Sequence, residues 1–206
     1  MLAQSGRREP DDVRLADIVA SETDRLNQLV TDFLAFAKPS PQRLASVDLG
    51  LVVSQTLDVM THGPTFAGVE LERSIEPNLT VWGDAAQLRQ ACWNLVTNAA
   101  QAMAGRSGRV RVLAYRRERE VHVDVQDEGP GIPPEAFRRL FEPFFTTKVR
   151  GTGLGLSTVR AIVQAHRGHI EPTNLTPHGA QFSISVPALE STEPVVQQAS
   201  QQPVMA

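Results

Sequence analysis

The first regular pattern of apolar residues in this chain lies between residues 13 and 38. Apolar side chains recur at steps of three and four, apart from one step of seven, which predicts an amphipathic helix with a heptad-like seam. Pro39 and Pro41 end this helix, because proline cannot continue a helix. The helix either packs on its own domain or forms half of a dimerising hairpin, and the prolines, which separate it from the next predicted elements, favour the hairpin. The seam residues are Leu15, Val19, Leu26, Leu29, Phe33 and Phe36.

A second pattern, in which short helices and strands are mixed, runs from residue 48 onwards. Asp48 and Asp84 are predicted N-caps of helices that end near Met60 and Met103, because an aspartate side chain accepts hydrogen bonds from the first amides of a helix. Runs of alternating apolar and polar residues predict strands, and two consecutive runs predict an antiparallel pair. The paired strands are 109–115 and 120–126, and the others are 69–72, 80–82, one at Ile170 and 180–186.

This mixture of elements predicts an α+β fold. A mainly antiparallel sheet with helices on one face forms a two-layer α/β sandwich, which we assign to residues 48–188. We interpret residues 1–12 as a flexible lead-in, residues 13–38 as the first helix and residues 39–47 as a linker. Residues 189–206 are rich in Gln, Ser and Pro, which predicts a disordered tail.

Composition and charge exclude several classes of function. The chain has 206 residues, 41% of them hydrophobic, and a formal net charge of −3, so it lacks the basic excess of proteins that bind nucleic acid or an anionic membrane surface. No apolar run approaches the roughly 18 residues of a membrane-spanning helix. The single cysteine, Cys92, excludes an internal disulfide and fits a reducing compartment. We expect a cytoplasmic location for this chain. A longer protein that contains the chain can still be anchored in a membrane through another segment.

The helix predicted after Asp84 carries side-chain amides on one face. Solvated helix faces normally carry Lys, Glu and Arg, and asparagine competes with the helix backbone for hydrogen bonds. Asn94 and Asn98, four residues apart, therefore indicate amide oxygens that bind a hard cation such as Mg²⁺. The alternative is a polar patch against a neighbouring loop. The amide face consists of Gln87, Gln90, Asn94, Asn98 and Gln101, and the apolar face of Leu88, Cys92, Leu95 and Ala99.

A predicted strand ends at Asp127 and is followed by a sharp turn with two glycines and two prolines, at residues 128–133. A carboxylate at this strand end can accept a hydrogen bond from the exocyclic amine of adenine. Guanine presents a carbonyl at the same position, so the carboxylate favours ATP over GTP. The alternative is an aspartate that serves only the turn.

Four of the eight phenylalanines lie close together in a predicted loop, at residues 137–145. They either anchor the loop to the core or form a hinged lid that closes on a ligand and contacts a partner. Thr146, Thr147 and Lys148 come directly after them, where two hydroxyls and an ammonium group can reach phosphate oxygens.

Three glycines alternate with other residues in the segment 151–157, directly before a predicted helix. Glycine lets the backbone approach a ligand closely, and a helix N-terminus offers unpaired amides and a positive dipole end. The segment therefore predicts a phosphate-binding loop. It is neither a P-loop nor a dinucleotide fingerprint, because no Gly-Lys-Ser/Thr comes after it and the third glycine falls one position early.

These motifs, in this order, resemble the ATP-binding domain that sensor histidine kinases, DNA gyrase, Hsp90 and MutL share, and within that group they resemble the histidine kinases. The resemblance covers about residues 45–188, and the helix before it resembles the second helix of the dimerisation and phosphotransfer hairpin. The short lid and the run Asn98 to Met103 are similar to those of nitrogen-regulation-type sensor kinases. The matching motifs are the N box at 94–99, the G1 box at 127–132, the F box at 141–144 and the G2 box at 151–156.

The resemblance implies a Bergerat-type ATP-binding fold and a role for each motif. Asn98 is implied as the Mg²⁺ ligand and Asn94 as a second candidate ligand, and together with Lys148 they are the implied catalytic residues. Asp127 is implied to bind adenine. The implied nucleotide-binding residues are Asn98, Asp127, Gly129, Gly131, Thr147, Lys148, Gly151, Thr152, Gly153, Leu154, Gly155 and Leu156.

The implied function is that of an ATP-dependent protein-histidine kinase, homodimeric through the hairpin, that passes a phosphoryl group to a response regulator. In the ATPase branch of the group a glutamate stands where Asn94 stands here and activates water, so the asparagine favours transfer to a protein side chain over hydrolysis. The alternatives are a serine kinase of the anti-sigma-factor type, a gyrase-, Hsp90- or MutL-like ATPase, and a non-catalytic nucleotide-sensing module.

The chain departs from the histidine kinases in its histidines. A phosphoacceptor histidine is followed by Glu or Asp on an earlier helix, and none of the five histidines here precedes an acidic residue. We therefore expect the phosphoacceptor helix of the parent kinase to be a partner. The chain is then either the C-terminal part of a longer kinase, which we favour, or an enzyme that acts in trans. His166 and His169 are interpreted as surface or helix-end residues rather than metal ligands.

Overall fold

The computed structural model describes residues 42–61, 66, 68–103, 106–148 and 151–190, together with single positions in the N-terminal helix. Those positions are helical in backbone, and their apolar side chains are more than half exposed. The remainder of the predicted hairpin helix, the lead-in and the tail from residue 191 lie outside the described residues. The described helical positions are Leu15, Val19, Glu22, Thr23, Leu26 and Val30.

Seven strands and three complete helices make up the described part of the domain. The strands are Ala45–Asp48 (β1), Val69–Ile75 (β2), Thr80–Gly83 (β3), Gly108–Arg117 (β4), Glu120–Asp127 (β5), His169–Asn174 (β6) and Ala180–Pro187 (β7). The helices are Leu49–Met60 (α1), Ala85–Ala102 (α2) and Gly155–Ala165 (α3). No described helix has the length and apolar character needed to span a bilayer.

Two of the helices begin where an aspartate was predicted to cap them. Asp48 accepts a hydrogen bond from the amide of Leu51 at 3.1 Å. Asp84 accepts from the amides of Ala86 at 2.9 Å and Gln87 at 3.2 Å. Each cap is typically worth about 1 kcal/mol, because it satisfies amides that have no partner within the helix.

Five strands form one sheet in the order β2-β4-β5-β7-β6. All of its pairs are antiparallel except β2 with β4, which run parallel. The predicted antiparallel pair is β4 and β5, with Val112 opposite Val125. The prediction of a mainly antiparallel sheet is confirmed, and the parallel edge is an addition that no local pattern revealed.

A second, two-stranded sheet pairs β1 with β3, with Ala45 opposite Gly83. Residues 45–47 lie in the range that we interpreted as linker, so that interpretation is corrected there. The reason is physical: the hydrogen-bonding partner of β1 lies far along the chain, whereas a strand of four residues has too little local pattern to predict.

The helices cover one face of the large sheet and form the core with it. Alternate residues of β4, β5 and β7 are buried on that face, where they pack against the apolar faces of the helices. This gives the predicted two-layer sandwich. Its core includes Leu49, Leu57, Leu88, Leu95, Val112, Val123, Val125, Val159 and Ile184, each at most 1% exposed.

Candidate functional site

Helix α2 presents its side-chain amides away from the core. Its apolar residues are buried, with Leu88 at 0% and Leu95 at 1% exposure, which fixes the rotation of the helix. Asn94 and Asn98 lie beside this apolar face and are partly exposed. The predicted division of this helix into an apolar and an amide face is therefore present in the structure.

Lys148 reaches from the loop before the glycine segment to this amide face. Its ammonium group donates a hydrogen bond to the side-chain oxygen Oδ1 of Asn98. It also donates to the backbone oxygen of Asn98 at 3.4 Å and to Oε1 of Gln101 at 2.9 Å. Burial lowers the pKa of Lys148 to about 8, although the nearby Asp127 carboxylate acts in the opposite direction.

The oxygen atoms that surround the Lys148 ammonium group are of the kind that Mg²⁺ prefers as ligands. Three oxygens of Asn98 and Gln101 point at a single positive charge, and neutral oxygen donors of this kind bind hard cations. No cluster of three or more carboxylate, histidine or cysteine ligands exists among the described residues. The residues fit a cation that keeps part of its water and binds an anionic ligand at the same time.

Asp127 ends β5 and is 4% exposed. Its oxygen Oδ1 accepts hydrogen bonds from the amides of Gly129 at 2.9 Å and Ala180 at 3.4 Å. Burial raises the pKa of Asp127 above its ordinary value, and these two amides and the Lys148 ammonium reduce the rise. Both hydrogen bonds that Asp127 accepts within the described residues end on Oδ1, which leaves Oδ2 for a ligand.

The turn after Asp127 requires its two glycines for different reasons. A Cβ atom at Gly129 would stand 2.7 Å from Oδ1 of Asp127 and 3.1 Å from Ala102. Gly131 has a φ of +80°, a conformation that side chains other than that of glycine rarely adopt. Asn174 holds the next residue, Ile132, by accepting from its amide at 2.7 Å and donating to its oxygen at 2.9 Å.

The phenylalanine-rich loop is partly anchored to the core and partly exposed, and its closure on a ligand stays a prediction. Phe137 and Phe145 pack against the core, and Arg139 lies 4.3 Å from the ring centre of Phe145, so part of the loop is anchored. Phe144 is 60% exposed and has a φ of +66°. Its amide donates to the oxygen of Gly153 at 3.0 Å, which ties the loop to the glycine segment.

Helix α3 begins at Gly155 without a side-chain cap. Leu154 precedes it and is fully buried, and its amide is held by the Thr152 hydroxyl at 3.3 Å. Asn94 donates from Nδ2 to the oxygen of Gly155 at 3.4 Å, so α2 contacts α3 at this point. The uncapped N-terminus leaves backbone amides available to an anion beside the amide face.

The structure thus brings most of the predicted site residues to one region. Asn98 and Lys148 are in contact, Asn94 contacts Gly155, and Asp127 is close enough to Lys148 to alter its pKa. Thr147 is exposed and Leu156 is partly exposed, and both lie in the segment that contains Lys148 and the glycines. Gly151 lies against the Thr146 hydroxyl. The predicted site omitted Asn174, Gly179 and Ala180, which contact its members, whereas Gln101 was predicted as part of the amide face.

His166 is a helix-end residue, which is one of the two placements predicted for it. It lies at the end of α3 and is 4% exposed. Its Nε2 accepts a hydrogen bond from the amide of Asp84 at 2.9 Å, and its Nδ1 lies 2.7 Å from the oxygen of Ile162. The partner amide is 82 positions away, so no local pattern indicated that the ring is buried.

Comparison with known proteins gives the family. The sequence profile of the histidine kinase-, DNA gyrase B-, and HSP90-like ATPases matches residues 83–190. The sensor histidine kinase ZraS of Escherichia coli O157:H7 is 35% identical over 175 residues, which are 84% of this chain and 38% of ZraS. The chain therefore spans less than half the length of this relative.

Solved structures show the same fold. Full-length ShkA in complex with AMPPNP superposes with a TM-score of 0.74 and 27% identity, over 93% of this chain and 42% of ShkA. The histidine kinase ThkA in complex with the response regulator protein TrrA gives a TM-score of 0.74 and 26% identity, over 88% of this chain and 53% of ThkA. The chain has the Bergerat fold and belongs to the histidine kinase-, DNA gyrase B- and HSP90-like ATPases, among which it is similar to the catalytic, ATP-binding region of sensor histidine kinases.

Proposed function

We propose that this chain binds Mg·ATP and transfers the γ-phosphoryl group to a histidine of its parent kinase, for relay to a response regulator. The observation that carries the proposal is the meeting of Asn98 and Lys148 beside the uncapped N-terminus of α3. Amide oxygens for a cation, an ammonium group and free amides for phosphate then lie together, which is the equipment of a phosphoryl-transfer site.

Adenine is bound at Asp127. The oxygen Oδ1 is held by Gly129 and Ala180, which orients the carboxylate and directs Oδ2 to the adenine amino group. A buried carboxylate that loses this partner is left unpaired, which is costly, and guanine offers no donor at that position. Asp127 therefore selects ATP.

Asn98 holds Mg²⁺, with Asn94 as the second ligand candidate. When bound, the ion neutralises charge on the transferring phosphoryl group. Lys148 and the amides of Gly153 and Gly155 bind the phosphates. Thr147, Gly151, Thr152, Leu154 and Leu156 complete the phosphate-binding segment.

The side chain of Asn94 favours transfer over hydrolysis. It donates through Nδ2 to the Gly155 oxygen, and an amide has no basic group that can take a proton from water. Asn94 can therefore help to position a nucleophile from another protein segment, but it does not remove a proton from that nucleophile. The ATPase alternative lacks its general base at this position.

The partners of this reaction are a phosphoacceptor helix and a response regulator. Support comes from ZraS, which is named a sensor histidine kinase, and from ThkA, which was solved with the response regulator protein TrrA. Dimerisation through the N-terminal helix belongs to the same proposal. A cytoplasmic location is part of it as well, because the reaction uses ATP.

Phosphorylation with γ-labelled ATP tests the proposal. The chain is incubated with Mg·ATP and the phosphoacceptor hairpin of ZraS, and label that is lost in acid is expected on the hairpin but not on the chain. The variant Asn98→Ala is the control and leaves the hairpin unlabelled. Acid-stable label on a protein would favour the serine kinase, and release of phosphate without protein label would favour the ATPase.

A further inference from the structure

We propose that His166 is a positioning residue that fixes the axial register of α2 against α3, and with it the placement of the amide face relative to the phosphate-binding helix. The inference rests on the proposed function, since it concerns the same nucleotide site. Among the described residues His166 shares no hydrogen bond with that site, and it acts through Asp84 and Ile162.

The imidazole ring of His166 connects the two helices by hydrogen bonds at both of its nitrogens. Nδ1 donates to the oxygen of Ile162 in the last turn of α3, at 2.7 Å. Nε2 accepts from the amide of Asp84, the residue that caps α2, at 2.9 Å. We assign the neutral tautomer with the proton on Nδ1, because only this form donates to a carbonyl and accepts from an amide.

A second contact joins the same two helices at the nucleotide end, where Asn94 donates to the oxygen of Gly155. The helices are therefore antiparallel, with Asp84 beside His166 and Asn94 beside Gly155. Asp84 and Asn94 are ten positions apart, and Gly155 and His166 are eleven. At about 1.5 Å per residue these spans are roughly 15 and 16.5 Å, so the two contacts close a frame whose two sides are similar in length.

The histidine end of this frame is tightly packed. His166 is 4% exposed, and a Cβ atom at Gly83 would stand 2.7 Å from its Cδ2 and 2.9 Å from Leu88. Asp84 is fixed from its other side by hydrogen bonds to the amides of Ala86, Gln87 and Arg43. The ring therefore fits tightly in its position. If α2 slid along α3, the hydrogen bond between the Asp84 amide and the ring would break.

A change in register would affect the two halves of the nucleotide site differently. Asn94, Asn98 and the N-terminus of α3 belong to the frame. Asp127 belongs to β5 and is held by Gly129 and Ala180, and neither of these residues shares a hydrogen bond with His166 in the described part of the chain. Loss of the histidine is therefore expected to weaken binding of the triphosphate and metal more than binding of adenine.

The test compares affinity for Mg·ATP, by calorimetry, with affinity for adenosine, by NMR titration. His166→Leu removes both hydrogen bonds, and we expect its Kd for Mg·ATP to rise about tenfold, the loss expected for one broken positioning contact. Its Kd for adenosine should rise much less, since Asp127 is held within β5 and by Ala180, although α2 borders the adenine end at Ala102, beside Gly129. His166→Gln offers an oxygen to the Asp84 amide and should recover most of the loss.

Gly83→Ala gives an independent variant, because its methyl group displaces the ring without removing it, and it should reproduce the selective loss. His169→Gln, at an exposed histidine three residues further on, is the matched control and should bind both ligands normally. Equal losses for Mg·ATP and adenosine, or no loss in folded His166→Leu and Gly83→Ala, would overturn the inference. Failure of the unaltered chain to bind Mg·ATP would instead contradict the proposed function.

Discussion

The ammonium group of Lys148 donates to the side-chain oxygen of Asn98, fifty positions earlier in the chain. One residue belongs to the loop before the glycine segment and the other to α2, so the contact joins these two parts of the candidate site. It also shows that the Asn98 amide presents its oxygen, rather than its nitrogen, to a positive charge.

Asn98→Ala should lose the contribution of the metal to nucleotide binding. Removal of a contact to a charged group typically costs about 10- to 100-fold in affinity, so the Kd for Mg·ATP is expected to rise by that factor. ATP in the presence of EDTA is the control, because metal-free binding should change much less. Calorimetry measures both values, and an unchanged ratio between them would refute the metal assignment.

Asp127→Asn should weaken ATP binding and narrow the preference for ATP over GTP. The amide keeps an oxygen that can accept from Gly129 and Ala180, but it then turns its NH₂ group, a donor, towards the adenine amine. We expect a loss of about 10- to 100-fold for ATP, since two donors then face each other. Competition between ATP and GTP reads the preference directly, and a wild-type preference would show that Asp127 does not contact the base.

Gly153 and Gly155 offer a matched pair of substitutions to alanine. Gly153 has a φ of +70°, and its added Cβ would collide with the backbone of Phe144, so we expect a loss of about 1–3 kcal/mol in the free energy of unfolding. Gly155 opens α3 with no atom within 4 Å of an added Cβ, and alanine there should be neutral or stabilising, by up to about 1 kcal/mol. Urea denaturation without nucleotide measures both. Equal effects would contradict the described contact between the loop and the glycine segment.

The pH dependence of stability should report the burial of Lys148. Burial lowers its pKa to about 8 in the folded chain, against 10.5 ordinarily. Between these values the unfolded chain binds more protons, so the contribution of Lys148 to the free energy of unfolding rises with pH across this window. The difference between wild type and Lys148→Met, measured by urea denaturation from pH 7 to pH 10.5, should therefore shift in favour of wild type.

Cys92 acts in the opposite direction within the same range. Burial raises the pKa of its thiol to about 12, so the folded chain holds that proton more strongly and loses stability as pH rises. Both proteins contain Cys92, which makes the effect cancel in the difference. A difference that stays flat with pH would contradict the burial of the Lys148 ammonium.

Local signals made much of the fold predictable. Asp48 and Asp84 cap the helices they were predicted to cap, and β4 and β5 pair as their alternating patterns indicated. The strand β1 escaped prediction because it exists through its pairing with β3, and pairing between distant segments has no signature within four residues. The parallel pairing of β2 with β4 could not be predicted either, because it too joins segments that are distant in the chain.

The candidate site likewise contains residues that local sequence signals identified and residues that they did not. Asn98, Lys148 and Asp127 stood out because amides on a helix face, an ammonium before glycines and a carboxylate at a strand end are unusual where they occur. Asn174 and Ala180 did not, since their role is to hold the turn and the carboxylate from more than 40 positions away. His166 looked like an ordinary helix-end histidine because burial of its ring depends on packing against Gly83.

The parallel pairing of β2 and β4 has a consequence for how the domain opens. Parallel neighbours need a crossover connection, and the chain between Ile75 and Gly108 that makes this crossover contains α2. Local fluctuations can fray a terminal helix and leave the sheet intact, but α2 lies in the chain between two paired strands, so we expect it to open together with the sheet edge that they form. The amide face of α2, with Asn94 and Asn98, is then expected to form together with this non-local strand pairing rather than as an independent helix.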